Sequence, residues 1–254
     1  MNQALVITAA GGNGTAIRII DQPLSREQYA LEGKVFGVAN EKYGAEQAGF
    51  LIPSERHFEM AGGEFCGNAA RSAAVLFSRI WNTDAVAFTM SGYDGLVKAT
   101  LKESAPNTYL AECVFAGLPT KQTDLVLRNG QPVSVVDLGG IVHVMIEAPF
   151  PVEPSSYEAL HRSIVCELSF EERGAVGVIW FERISEKVGI YPVVWVREVN
   201  TFFFEQSCGS GSIAAGKVTG VSSIIQPTGR DIEVAITASG VTLRSLMEVV
   251  HESQ

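Results

Sequence analysis

The stretch GGEFCGNAARSAA, Gly62 to Ala74, sets a cysteine between two runs of small residues at the head of an alanine-rich segment. Alanine is the strongest helix former, so the segment reads as a helix that opens at Cys66-Gly67. Much later, FEQSCGSGSIAAG, Phe204 to Gly216, repeats the arrangement around Cys208-Gly209. Other landmarks return in the same order. A Gly-Gly closes an early strand at Gly11-Gly12 and again at Gly139-Gly140. A capping box, S-x-x-[EQ], follows at Ser25 with Gln28 and at Ser155 with Glu158. Strands then carry Ala48-Gly49-Phe50 and Val176-Gly177-Val178, and the interval from Gly12 to Gly49 equals that from Gly140 to Gly177. Gly92 and Gly229 each introduce a closing strand pair. The chain therefore reads as one α/β unit written twice, residues 1–118 and 119–254, with the last strand able to return to the first unit.

Duplication has a geometric consequence. Two similar lobes related by a pseudo-twofold axis bring equivalent points face to face, and the two Cys-Gly helix starts are such a pair. A helix N-terminus offers unpaired N–H groups and partial positive charge. It is expected to lower a thiol's pKa from about 8.5 toward neutrality and to hold a carboxylate without Lys or Arg. A small acid gripped between the two ends would have its α-carbon between two thiols. That suits racemisation: one thiolate removes the α-proton and a thiol on the other face returns one. Cys113 and Cys166, among apolar neighbours on a strand and late in a helix, read as buried structural thiols.

Bulk composition narrows the class. The 254 residues carry a net charge of −9 with 46% hydrophobic residues, an acidic globular chain poorly suited to nucleic acid or to an anionic membrane surface. No apolar run reaches the ~20 residues of a spanning helix. The N-terminal MNQALVITAAGG reads as a first strand, not a signal peptide, so a cytoplasmic location is expected. The four cysteines lie far apart, which argues against a disulfide framework. His57, His143, His161 and His251 are scattered, so no metal is expected. Neither GGNGTAI nor CGSGSIAAG completes a dinucleotide fingerprint. Ser210 lacks the spacing of a nucleophile elbow, and Lys217 has no pyridoxal setting. No cofactor is expected.

CGN ahead of a small-residue helix, with a later SCGSG, resembles the diaminopimelate epimerase family of cofactor-independent amino-acid racemases, through most of the chain. The resemblance implies an α/β (α+β) fold of two pseudo-symmetric domains, each a barrel-like, mostly antiparallel sheet around a central helix. It implies Cys66 and Cys208 as the two bases and Asn13 and Gln47 as substrate-binding polar residues. Gly67, Asn68, Gly209 and Ser210 would hold the α-carboxylate and α-amino group. The Glu-Arg pair that diaminopimelate epimerases carry ahead of the second cysteine is Val199-Asn200 here, the usual Asn ahead of the first is His57, and the Gly after CGN is Ala69. These replacements are similar to the histidine racemases known from staphylococcal metallophore synthesis, as are Met60 to Ala69, Glu46 to Phe50, Val142 to Ile146 and Glu205. Glu46, His57 and Glu205 would then face an imidazole, and histidine is the leading substrate. Rival readings are a racemase of another amino acid, diaminopimelate included, a hydroxyproline-type dehydratase, and a non-catalytic amino-acid binding protein. A homodimer is the expectation from oligomer frequencies alone.

Overall fold

A computed structural model describes residues 4–253; residues 1–3 and 254, including the first three of the N-terminal stretch read as strand, lie outside the described residues. The first half runs β1 (Ala4–Ala9), β2 (Gly12–Ile19), α1 (Arg26–Asn40), β3 (Ala45–Ile52), β4 (His57–Met60), α2 (Gly67–Trp81), β5 (Ala85–Met90), β6 (Tyr93–Ala105) and β7 (Thr108–Ala116). The second runs β8 (Lys121–Val126), β9 (Pro132–Asp137), β10 (Val142–Glu147), α3 (Pro154–Glu167), β11 (Ala175–Ile184) and β12 (Lys187–Val196). It continues through β13 (Thr201–Phe204), α4 (Gly209–Thr219), β14 (Ser223–Ile225), β15 (Asp231–Thr237) and β16 (Gly240–Glu252).

Strands β1 to β7 neighbour one another in chain order, and β16 closes the ring by pairing with both β7 and β1. The result is an eight-stranded barrel. Pairings β2–β3 and β4–β5 are parallel and the others antiparallel. Parallel neighbours need a crossover; α1 supplies the first and α2 the second. Helix α2 threads the barrel and touches β1, β2, β4, β5, β6, β7 and β16. Every residue from Gly67 to Ser78 is buried, because walls surround the helix on all sides. An eight-stranded barrel has a narrow interior, which explains the run of alanines.

In the second half the strand order is β16-β15-β14-β12-β11-β10-β9-β8, with β13 also on β12. Its parallel pairs, β10–β11 and β12–β14, are again crossed by helices, α3 and α4. Helix α4 packs against β9, β10, β11, β12, β14, β15 and β16. Strand β16 thus belongs to both sheets: Arg244 lies opposite Glu112 of β7 on one side and Glu233 of β15 on the other.

Two local expectations separate here. Helix α1 begins with the full capping box at Ser25 and Gln28. Helix α3 does not use Ser155: its N-cap is Glu153 with no side-chain cap, and Pro154 takes the first turn. Proline's fixed φ and missing N–H suit that position, so the helix starts ahead of the serine. Cys113 is buried on β7, but Cys166 is exposed; α3 turns His161, Ile164 and Val165 inward instead. Among the described residues no helix is long and apolar enough to cross a membrane.

Candidate active site

Cys66 and Cys208 are the N-caps of α2 and α4. Their backbones are nearly superposable, at φ −132°, ψ 111° and φ −140°, ψ 107°. Each sulfur accepts from an N–H in the first turn, Ala69 at 3.4 Å and Gly211 at 3.2 Å. The thiol therefore does what a serine or aspartate usually does at an N-cap. The two helix starts meet. A Cβ at Gly67 would stand 3.3 Å from the Gly209 Cα, and one at Gly209 would stand 3.0 Å from the Asn68 backbone nitrogen. Only glycine permits that approach.

Polar side chains lock the junction. The Ser207 carbonyl accepts from both Asn13 Nδ2 and Asn68 Nδ2 at 2.9 Å. Cys66 Sγ donates to Gln47 Oε1 at 3.2 Å, and Gln47 Nε2 donates to Thr15 Oγ1 at 2.8 Å. Cys208 N–H donates to Gln226 Oε1 at 2.8 Å, and its sulfur lies 3.6 Å from Ser210 Oγ.

A cavity of about 20 Å³, enough for roughly one water, is lined by both cysteines, Gln47, Glu64, Asn68, Glu205, Gly209 and Ser210, among others. A second cavity of about 110 Å³ adjoins it; Glu46 is on its wall, and it shares Gln47, Glu64, Val194, Val196 and Glu205 with the first. Asn13 lies buried behind the first cavity, through its bond to Ser207. Gly67 forms the helix contact. His57 lines neither cavity: its Nδ1 is 2.8 Å from Thr89 Oγ1 and its Nε2 2.9 Å from Glu59 Oε2. The strand β4 aims it at β5, so the expectation that it faces a bound side chain is not met.

The electrostatics reverse one expectation. Burial pushes the Cys66 thiol up to about 12, and the Glu205 carboxylate adds to the rise; the Ala69 N–H opposes them. Burial likewise drives Cys208 well above its ordinary value, followed by the charge of Glu205 and its hydrogen bond. One helix end holds partial charge only, and desolvation next to carboxylates outweighs it. The carboxyls themselves are raised by burial: Glu46 to about 7, Glu64 to about 7 and Glu205 to about 8. Glu46 is partly held by the N–H groups of Asn13 and Gln206.

Sequence reasoning missed four residues here. Glu64 is inside the quoted stretch but was not singled out. Thr15 and Gln226 are second partners with no pattern of their own. Arg71 is fully buried in α2, its Nη2 bonded to Asn68 Oδ1. A charge amid alanines was its available signal.

The family model for the histidine racemase CntK N-terminal domain matches residues 16–251. Two histidine racemases from strains of Fusobacterium nucleatum subsp. nucleatum are 28% and 30% identical over 224 residues, 83% of this chain and 81% and 80% of theirs. A predicted epimerase of Pseudomonas aeruginosa shares the fold at TM-score 0.64, 13% identity and coverage of 100% of this chain and 99% of that one. A phenazine biosynthesis protein of the PhzF family from Enterococcus faecalis does so at TM-score 0.59, 12% identity and coverage of 99% and 98%. The chain belongs to the histidine racemase family and is an isomerase of the amino-acid racemase class.

Proposed function

We propose that the chain is a cofactor-independent racemase in which Cys66 and Cys208 act as paired bases on the two faces of Cα, with histidine as substrate. The α-carboxylate lies against the N–H groups that open α2 and α4. One thiolate takes the Cα proton, the electron pair spreads onto the carboxylate, and the opposite thiol donates its proton to the other face. The thiol and thiolate exchange roles, so the reverse reaction uses the same two groups. Negative charge that develops on the carboxylate is stabilised by the helix-end N–H groups, and the narrowness of the cavity, which limits water around the reacting groups, strengthens that effect.

In the closed cleft both sulfurs are held as thiols. Entry of the substrate's ammonium beside Glu46 and Glu205 supplies the positive charge that lowers the cost of a thiolate. The same ammonium favours the ionised form of Glu205, and that carboxylate, hydrogen-bonded to Cys208, accepts its proton. Asn13, Gln47, Asn68 and Ser210 fix the polar groups around Cα. The two halves would be the products of one duplicated unit, divided near residue 118, and a reducing cytoplasm would keep both thiols free.

The observation that carries this reading is the meeting of two cysteine-capped helix starts at one cavity. Histidine follows from the family and from the relatives' named activity. The test is L-histidine without added pyridoxal phosphate, read by chiral chromatography. D-histidine should accumulate toward an equal mixture. Cys66→Ala and Cys208→Ala should each lower the rate by about a thousandfold or more, the range for loss of a positioned acid or base. Full turnover in either variant removes that cysteine from the mechanism.

A further inference from the structure

Glu64 is the one carboxylate of the cleft that sits on the wall between its two cavities and is also almost fully buried, at 8% exposure. Its Oε2 is buried and has no hydrogen-bond partner. The nearby cation, Arg26, is committed elsewhere: Nη1 to Glu59 at 2.5 Å, and Nη2 to the carbonyls of Met60, at 3.1 Å, and Ala61. A buried carboxylate oxygen left without a donor is costly. Glu46 has a buried, unpartnered Oε2 as well, and backbone N–H groups hold both acids, those of Asn13 and Gln206 for Glu46 and those of Gly62 and Glu64 for Glu64, but Glu46 lines the outer cavity alone whereas Glu64 lines both. Glu205 faces Cys208 and Asn13.

The surroundings say what the missing donor looks like. With Cα between the two sulfurs, a substrate side chain leaves the inner cavity through the wall that both cavities share. That passage has Val194 and Val196 on it, and the outer cavity beyond adds Ala48, Ala61 and Val199. Apolar walls suit the faces of a small flat ring, and a lone carboxylate oxygen suits an N–H on its edge. We infer that Glu64 is the recognition residue for the substrate's side chain, accepting a hydrogen bond from a ring N–H, and so selects an imidazole over apolar side chains of the same shape. This rests on the racemase reading of the site; it adds the group that chooses the side chain.

The test compares histidine with β-(2-thienyl)alanine, a five-membered-ring analogue without an N–H, in wild type and Glu64→Gln, by exchange of solvent deuterium into Cα. The glutamine is isosteric and removes the ionised acceptor. In wild type, histidine should be preferred by about a hundredfold or more in kcat/KM, as for sites built to bond a polar group. Glu64→Gln should raise KM for histidine by about tenfold with a smaller change in kcat, and leave the thienyl analogue nearly unchanged, so the preference shrinks. Glu64→Asp, which keeps the charge at a shorter reach, should fall between. An unchanged preference in both variants overturns the inference while leaving the racemase reading intact. No deuterium in histidine with wild type would instead overturn the racemase reading.

Discussion

Cys66, Cys113, Cys166 and Cys208 share one side chain and have three fates. Cys113 is buried in the barrel wall, Cys166 is open to solvent, and Cys66 and Cys208 cap helices at a shared cavity. The last two were legible because glycines and small residues surround both and because the pattern recurs. Cys166 was not, since helical periodicity leaves open which face of α3 packs inward. Glu64 was equally hidden: a glutamate in a loop reads as solvated until the partner wall of β12 covers it. The buried acids have a measurable consequence. Unfolded, the carboxyls ionise near 4.5, but folded they keep their protons to about 7, 7 and 8. The folded state therefore binds more protons across that window, and stability falls as pH rises through it. His143 and His161 act oppositely: burial depresses them from 6.5 to about 3 and about 4, so their contribution is lost as pH falls below 6.5. Between about pH 6.5 and about pH 8 the carboxyls dominate, and the raised buried thiols add to the fall at higher pH. The melting temperature should drop between about pH 6.5 and about pH 8, and Glu64→Gln should flatten part of the drop; a melting temperature that rises over this range contradicts the assignment.

At the scale of elements, local chemistry decided what the sequence could disclose. Helix α2 announced itself by its alanines and α1 by its capping box. The box at Ser155 misled because Pro154 had already started α3. Ser25→Ala should cost about 1 kcal/mol in denaturant unfolding, the usual worth of an N-cap, and Ser155→Ala should cost a few tenths at most. Short strands leave little pattern in the sequence: β4 has four residues and β14 three, and β8 is mostly exposed with no apolar alternation. The junction of α2 with α4 is set by glycine. In Gly209→Ala the new methyl would fall about 3.0 Å from Asn68 and Arg71 atoms, and overpacking of this kind costs about 1–3 kcal/mol. Because the displaced atoms belong to the junction of the two cysteine-capped helix starts, kcat/KM should fall by a larger factor than this cost implies. Wild-type activity in Gly209→Ala would show that the helix contact does not set the reaction geometry.

For the whole molecule, the repeat in the sequence pointed to two related units, and the structure has an eight-stranded barrel around α2 with a second sheet around α4. The closure was not legible. Strand β16 pairs Glu252 with Leu5, a contact across nearly the entire chain that no local pattern encodes. It ties the sheets together and so holds one cysteine-capped helix against the other. The inner cavity, about 20 Å³, is far smaller than an amino acid, so the proposed reaction requires the cleft to open for substrate, and its closing would expel water from around both sulfurs. That closed geometry makes the central claim sharp: each face of Cα has its own acid or base, and each thiol carries a single proton. The direct test is one enantiomer of histidine in deuterated water, stopped early, with deuterium at Cα measured separately in substrate and product. Two facing thiols predict deuterium in the newly formed enantiomer while the remaining substrate keeps its protium. Deuterium appearing equally in both enantiomers from the outset, or in neither, would contradict the two-base account.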